Sequence, residues 1–208
     1  MIMTVFTTHC LKNWLLEGLL WLLVITSGMV QAQTPLVHAP VLQLERLEDG
    51  LWLGTQLQFD LSATVVDALH KGIAIYFAAE ANVLQERWYW SNKKISIAKR
   101  YLRLAYQPLT RRWRVNVGFG DITESALGLS LNQMFESLPD ALAAVQRISH
   151  WKIAESSDIR ADATHQVEFR FYLDLTQLPR PLQIGTLGQS DWLVSLGCAQ
   201  SLSTKAKP

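Results

Sequence analysis

The chain has 208 residues, with 19 basic and 18 acidic side chains and a formal net charge of +1. That length suits one ordinary domain with a sizeable core, and so balanced a charge selects no partner by itself. Lys12 precedes a compact apolar run from Leu19 to Ile25, and the segment closes on Val30-Gln31-Ala32. A positive start, a short apolar core and small residues three and one before the cut are the build of a secretory signal peptide. Glu17 interrupts the longer apolar stretch from Trp14 to Val30, at a cost of about 2.5–3.5 kcal/mol in a bilayer, so the run falls short of the about 20 residues of a spanning helix. Cleavage is expected after Ala32, with an uncleaved inner-membrane anchor as the alternative. This address predicts a periplasmic protein and excludes most ATP, nucleotide and nucleic-acid chemistry. Cys198 is the sole cysteine after Ala32, so no intrachain disulfide forms in the mature chain; it reads as a small apolar residue near the end of the last strand.

Beyond residue 33, period-two alternation dominates. Val41–Leu47 and Leu51–Leu61 read as two strands joined across Glu48-Asp49-Gly50, where an Asp-Gly step supplies the positive φ angles of a tight hairpin. Ser62 is placed to cap a short helix over 63–71, and Gly72 to end it in the left-handed conformation. Ile73–Ala79 and Leu84–Trp90 read as the next two strands, followed by Ile95–Tyr106 and, after a turn at Pro108 and Thr110, Arg112–Val117. Residues 119–132 read as a loop. Ser137, Pro139 and Asp140 open a second helix, and strands follow at Ile148–Ser156, Gln166–Leu175 and Trp192–Leu196. Asp67-Ala68-Leu69 before one strand pair and Asp140-Ala141-Leu142 before another hint at a duplicated α-β-β unit. The expected organisation is a signal peptide over 1–32, one domain over 33–198 and a disordered tail over 199–208. Its fold class is α+β, mostly antiparallel β (sandwich-like or a curved sheet), with two short helices packed on it.

The strongest constellation is basic. From Lys93 to Arg114 the chain carries Lys93, Lys94, Lys99, Arg100, Arg103, Arg111, Arg112 and Arg114 with no acidic residue among them. Alternation sends Leu102, Leu104 and Tyr106 inward on one strand and Trp113, Val115 and Val117 inward on the next. Arg103, Arg112 and Arg114 then share the outer face with Tyr101. Such a stripe suits an anionic membrane surface or an acidic protein; the plainer reading is a solvated face balanced by Glu80, Glu86 and Glu168. Trp88 and Trp90 share one face of a strand and, with Trp113, read as core indoles or as the lining of an apolar pocket. Arg180, between Pro179 and Pro181, reads as exposed on an extended, polyproline-like connection that could meet a partner. His38, His70, His150 and His165 are scattered, without metal-ligand spacing, and no HExxH, CxxC, GxSxG or phosphate-binding glycine loop occurs. No metal, cofactor or catalytic residue is therefore expected, and nucleic acid is set aside as a partner.

The run Leu173-Asp174 through Leu178-Pro179-Arg180-Pro181-Leu182-Gln183, with Asp191-Trp192, resembles the end of an uncharacterised family of exported Gram-negative proteins, domain of unknown function 4390. The resemblance extends through Tyr101-Leu102-Arg103-Leu104 and Ser137-Leu138-Pro139-Asp140-Ala141-Leu142. It implies no activity, cofactor or catalytic residue; that members are encoded beside a membrane sensor kinase suggests a periplasmic accessory role by association alone. The expected function is a non-enzymatic periplasmic accessory or binding protein. It would contact a membrane-associated partner, such as a sensor kinase outer domain, through Arg103, Arg112, Arg114, Tyr101 and Arg180. The alternatives are a carrier of an apolar small molecule or lipid, and a hydrolase with dispersed catalytic residues.

Overall fold

The computed structural model describes residues 39–87, 89, 91–120, 131–160, 163–186 and 190–202. The signal segment, Trp88 and Trp90 lie outside them. The alternation read from the sequence becomes nine antiparallel strands among the described residues, in two sheets. The small sheet has the order β1 (Leu42–Leu47), β2 (Gly50–Gln56), β7 (Arg147–Glu155). The large sheet runs β6 (Leu131–Phe135), β5 (Arg112–Phe119), β4 (Lys93–Gln107), β3 (Ile75–Gln85), β8 (His165–Leu173), β9 (Ser195–Leu202). Three short helices, α1 (Ala63–His70), α2 (Leu138–Gln146) and α3 (Arg180–Thr186), complete an α+β fold.

One core joins the two sheets. Leu51, Leu53, Ile148, Trp151 and Ile153 of the small sheet belong to the same buried cluster as Phe77, Val83, Leu102, Val167 and Phe171 of the large one. Each fully buried side chain of this size is worth roughly 1.5–3 kcal/mol against exposure. A polar tie crosses the gap, where Ser96 Oγ donates to the Ile153 carbonyl at 2.7 Å. Both expected caps form: Ser62 Oγ accepts from the Val65 N–H at 3.2 Å and Ser137 Oγ from the Asp140 N–H at 3.2 Å. Gly72, at φ 82°, donates to Leu69, and Ile73 donates back to Ala68, which is the Schellman ending.

Several boundaries move, each for a local reason. Residues 75–85 form one strand instead of two, because β4 and β8 pair along both its edges and override the weak strand preference of its alanines. Residues 131–135, of which 131 and 132 fall in the expected loop and the rest in no expected element, form the edge strand β6; its almost wholly exposed residues leave no alternation to read. The prolines around Arg180 do not extend the chain. Pro179 stands just before α3 and Pro181 in its first turn, where a fixed φ favours a helix and a missing N–H does no harm, and Leu182 N–H donates to the Pro179 carbonyl at 2.9 Å. The last strand begins at Ser195, after a 3-10 turn at Ser190–Trp192, and runs to Leu202 opposite His165, so residues 199–202 are strand and not tail. The α-β-β echo is not a repeat, since β3 and β4 are neighbours while β7 and β8 lie in different sheets.

Candidate functional site

The core covers one face of the large sheet. The strand registers set out what the other face carries. One row across four strands reads Asn132, Asn116, Arg103, Tyr76. On one side of it lies the row Met134, Arg114, Ala105, and further out Arg112 faces Gln107. On the other side come Gly118, Tyr101, Ala78, Tyr172, Ser195, and then Lys99, Glu80, Arg170, Gly197. The structure therefore brings Tyr101, Arg103, Arg112 and Arg114 onto one face. It adds Tyr76, Arg170 and Tyr172, which belong to strands far along the chain. Ala78 is buried although it faces outward, because Tyr101 and Tyr172 stand on either side of it.

Charge is divided unevenly across this face. On the β3–β8 half, Glu80 lies opposite both Lys99 and Arg170, and the Tyr172 hydroxyl donates to Glu80 Oε1 at 3.1 Å. Arg170 lies 5.6 Å from the Tyr172 ring centroid. On the β4–β5 half no acidic residue lies opposite Arg103 or Arg114 in register. Arg103 sits 5.9 Å from the Tyr76 ring, and the Nε atoms of Arg103 and Arg114 are buried without a hydrogen-bond acceptor among the described residues. Arg112 approaches Glu136 at 3.7 Å with both side chains exposed, a pair worth little. Four strand positions separate Arg103 from the level of Glu80, about 14 Å. That exceeds the Debye length of about 8 Å at physiological salt, so Glu80 does not neutralise Arg103.

Burial and the Glu80 carboxylate push the Tyr172 phenol up to about 12 from an ordinary 10.0. The folded state therefore holds that proton more tightly than the unfolded chain. The contribution is complete below pH 10 and is lost as pH rises towards 12. A spectrophotometric tyrosine titration should show one phenol ionising near 12 that disappears in Tyr172→Phe; an unchanged high-pH step in the variant would contradict the assignment.

The remaining expected residues are dispersed. Arg180 is exposed on α3 and makes no described contact with the hairpin arginines. Trp113 is buried against Tyr106 and His70, at 4.8 and 5.4 Å between ring centroids. His70 therefore belongs to that aromatic cluster, His150 lies edge-on to Trp52 at 5.9 Å, and His165 is buried on β8. Cys198 is half-buried opposite Phe169 on β9, and burial raises its thiol pKa, which keeps it in the unreactive protonated form.

One feature was invisible to alternation. β7 carries a bulge in which Ser149 and His150 together oppose Gly54 of β2, and His150 takes a left-handed φ of 47°. Beside this bulge a groove runs between α2 and the ends of β4, β5 and β6, lined by Arg100, Phe119, Ala143, Arg147 and His150 among others. The sequence signal for Arg100 was its parity. It shares a face with Leu102 and Leu104, not with Arg103.

No helix among the described residues is long and apolar enough to cross a membrane. No curated protein and no solved structure matches the chain. Residues 38–200, which include all but the last two residues of the nine described strands, match a family model. The chain belongs to the family described as Domain of unknown function (DUF4390).

Proposed function

We propose that the chain is a non-enzymatic accessory or binding protein of the periplasm. The β4–β5 half of its open sheet face would meet an acidic surface on a membrane-associated protein. The observation that carries this reading is the charge division in register: Glu80 lies opposite Lys99 and Arg170, while no acidic residue lies opposite Arg103 or Arg114. Arginine and tyrosine are among the side chains that dominate protein interfaces, because they combine apolar area with hydrogen bonding, and Arg103 sits over the Tyr76 ring on this half. The signal-like segment over 1–32 supports the compartment.

Chemical crosslinking in the native envelope, followed by purification of the chain, tests the reading. Arg103→Glu with Arg114→Glu is expected to lose most of the captured partner, because reversing two charges in a complementary interface is repulsive. Arg170→Glu, on the half where Glu80 lies opposite it, is expected to retain it. Equal capture by both variants, with unchanged thermal unfolding, would remove the β4–β5 half from the interface.

A further inference from the structure

We infer that the groove between α2 and the ends of β4, β5 and β6 binds the carboxylate head of an amphipathic small molecule, with Arg100, Arg147 and His150 around the acid. The site lies on the inner side of β4, so it stands apart from the outer face argued above.

Arg100 is the anomaly that marks it. It projects from β4 on the side of Leu102 and Leu104, opposite Phe119 in register, with its guanidinium 5.3 Å from the Phe119 ring centroid. Its Nε is buried and has no hydrogen-bond acceptor among the described residues. Burial lowers its pKa, with no carboxylate among the described residues acting against it. A guanidinium withdrawn from water is costly unless an anion and further hydrogen bonds replace the lost solvent. The groove supplies the place for that anion, being the cavity that Arg100 lines.

Two further cationic or ionisable groups reach the same cavity from other elements. Arg147 follows the last turn of α2 and His150 stands on the β7 bulge. The bulge matters because a regular strand would send Ser149 and His150 to opposite faces. With two residues set against Gly54, both line the groove, and His150 accepts an unfavourable left-handed backbone to be there. A smaller depression of about 390 Å³ shares Gln56, Arg147, Ser149 and His150 with the main groove of about 1120 Å³.

The rest of the groove fixes the ligand's character. Asp140, Ala143, Ala144 and Arg147 follow one another at helical spacing along one wall, and Phe119 and Leu131 face them. The middle of the wall is therefore alanine, able to take an apolar body. The acids Asp140 and Glu136 lie at the opposite end of α2 from Arg147, about 10 Å away along the axis. An acid head consequently belongs at the Arg100–Arg147 end, with its hydrocarbon along the alanines.

Calorimetric titration of the full chain with dodecanoate, dodecyltrimethylammonium and acetate tests this. Dodecanoate is expected to bind one to one and more tightly than either of the others. Loss of a charge-assisted hydrogen bond should weaken it about tenfold or more in Arg100→Gln. Arg147→Gln, at an exposed helix end that leaves folding intact, should weaken it in the same direction. Equal binding of the two dodecyl amphiphiles, or acetate binding as tightly as dodecanoate, would overturn the proposal. So would dodecanoate affinity unchanged in a folded Arg147→Gln. If Arg100→Gln alters thermal unfolding but not dodecanoate affinity, the partner of Arg100 lies within the chain and the site is refuted.

Discussion

Gly50→Ala is expected to be among the most damaging single methyl additions in this protein. The position opens β2, and a Cβ built there would lie 2.2 Å from the Ala154 carbonyl oxygen and 2.8 Å from Lys152 Cε. The lysine end can move aside, but the Ala154 oxygen belongs to β7, which is paired to β2 along its length. Relief requires parting the two strands at the place where Leu51 is fully buried against the shared core. Overpacking that displaces backbone costs about 3 kcal/mol, which for a domain of this size lowers the melting temperature by roughly 6–12 °C. A melting curve of Gly50→Ala within a degree or two of wild type would show that β2 and β7 do not approach in this way. Gly54→Ala is the internal comparison, since its Cβ would meet nothing nearer than 3.6 Å.

Truncation of Phe77 should be at least as costly. Its ring stacks on Phe171 at 5.5 Å and 12° and lies 5.7 Å from Phe59, with Phe77 and Phe171 fully buried. These rings join β3, β8 and the segment after β2, so the cavity left by Phe77→Ala sits among elements held by several others and cannot collapse easily. Large-to-small changes of this kind cost about 3–5 kcal/mol. Leucine, which keeps most of the volume, should recover much of the loss. Chemical denaturation measures both; a Phe77→Ala penalty below about 1 kcal/mol would mean the three rings do not form one packed unit.

The fold was legible wherever one face of a strand met the core and the other met water. Residues 112–117 and 147–155 show this, because Trp113, Val115 and Val117, or Ile148, Trp151 and Ile153, are buried in alternation or nearly so. It was illegible where both faces are covered, as at Ala78 under its two tyrosines, or where neither is, as in β6. The Asp49-Gly50 step was read correctly as a hairpin, and Gly50 does take a positive φ of 156°, but a second constraint was hidden. The two-residue turn is Glu48-Asp49, Leu47 pairs with Gly50, and glycine is required by the closeness of β7 as well as by its φ. That is a long-range fact that no local window contains.

The basic face was legible in its hairpin half, because Arg103, Arg112 and Arg114 follow parity within two adjacent strands. Its other half was not, since Tyr76, Arg170 and Tyr172 reach it only through strand order. Parity also separates Arg100 from the hairpin arginines, yet the consequence depends on a β-bulge and on α2, neither of which places Arg100 until the chain is folded. The same acid-free stretch therefore supplies two surfaces on opposite sides of β4, one open and arginine-tyrosine in character, the other a groove.

The central claim is that the β4–β5 half of the open face meets an acidic protein. Site-specific photocrosslinking tests it most directly, with the photoreactive residue at Asn116, which lies opposite Arg103 and beside Arg114, and a control at exposed Glu45 on the small sheet. The predicted result is a discrete protein adduct from Asn116, absent from Glu45, that disappears when Arg103→Glu and Arg114→Glu are introduced together. Identical adducts from both positions, or an Asn116 adduct that survives the charge reversal, would contradict it.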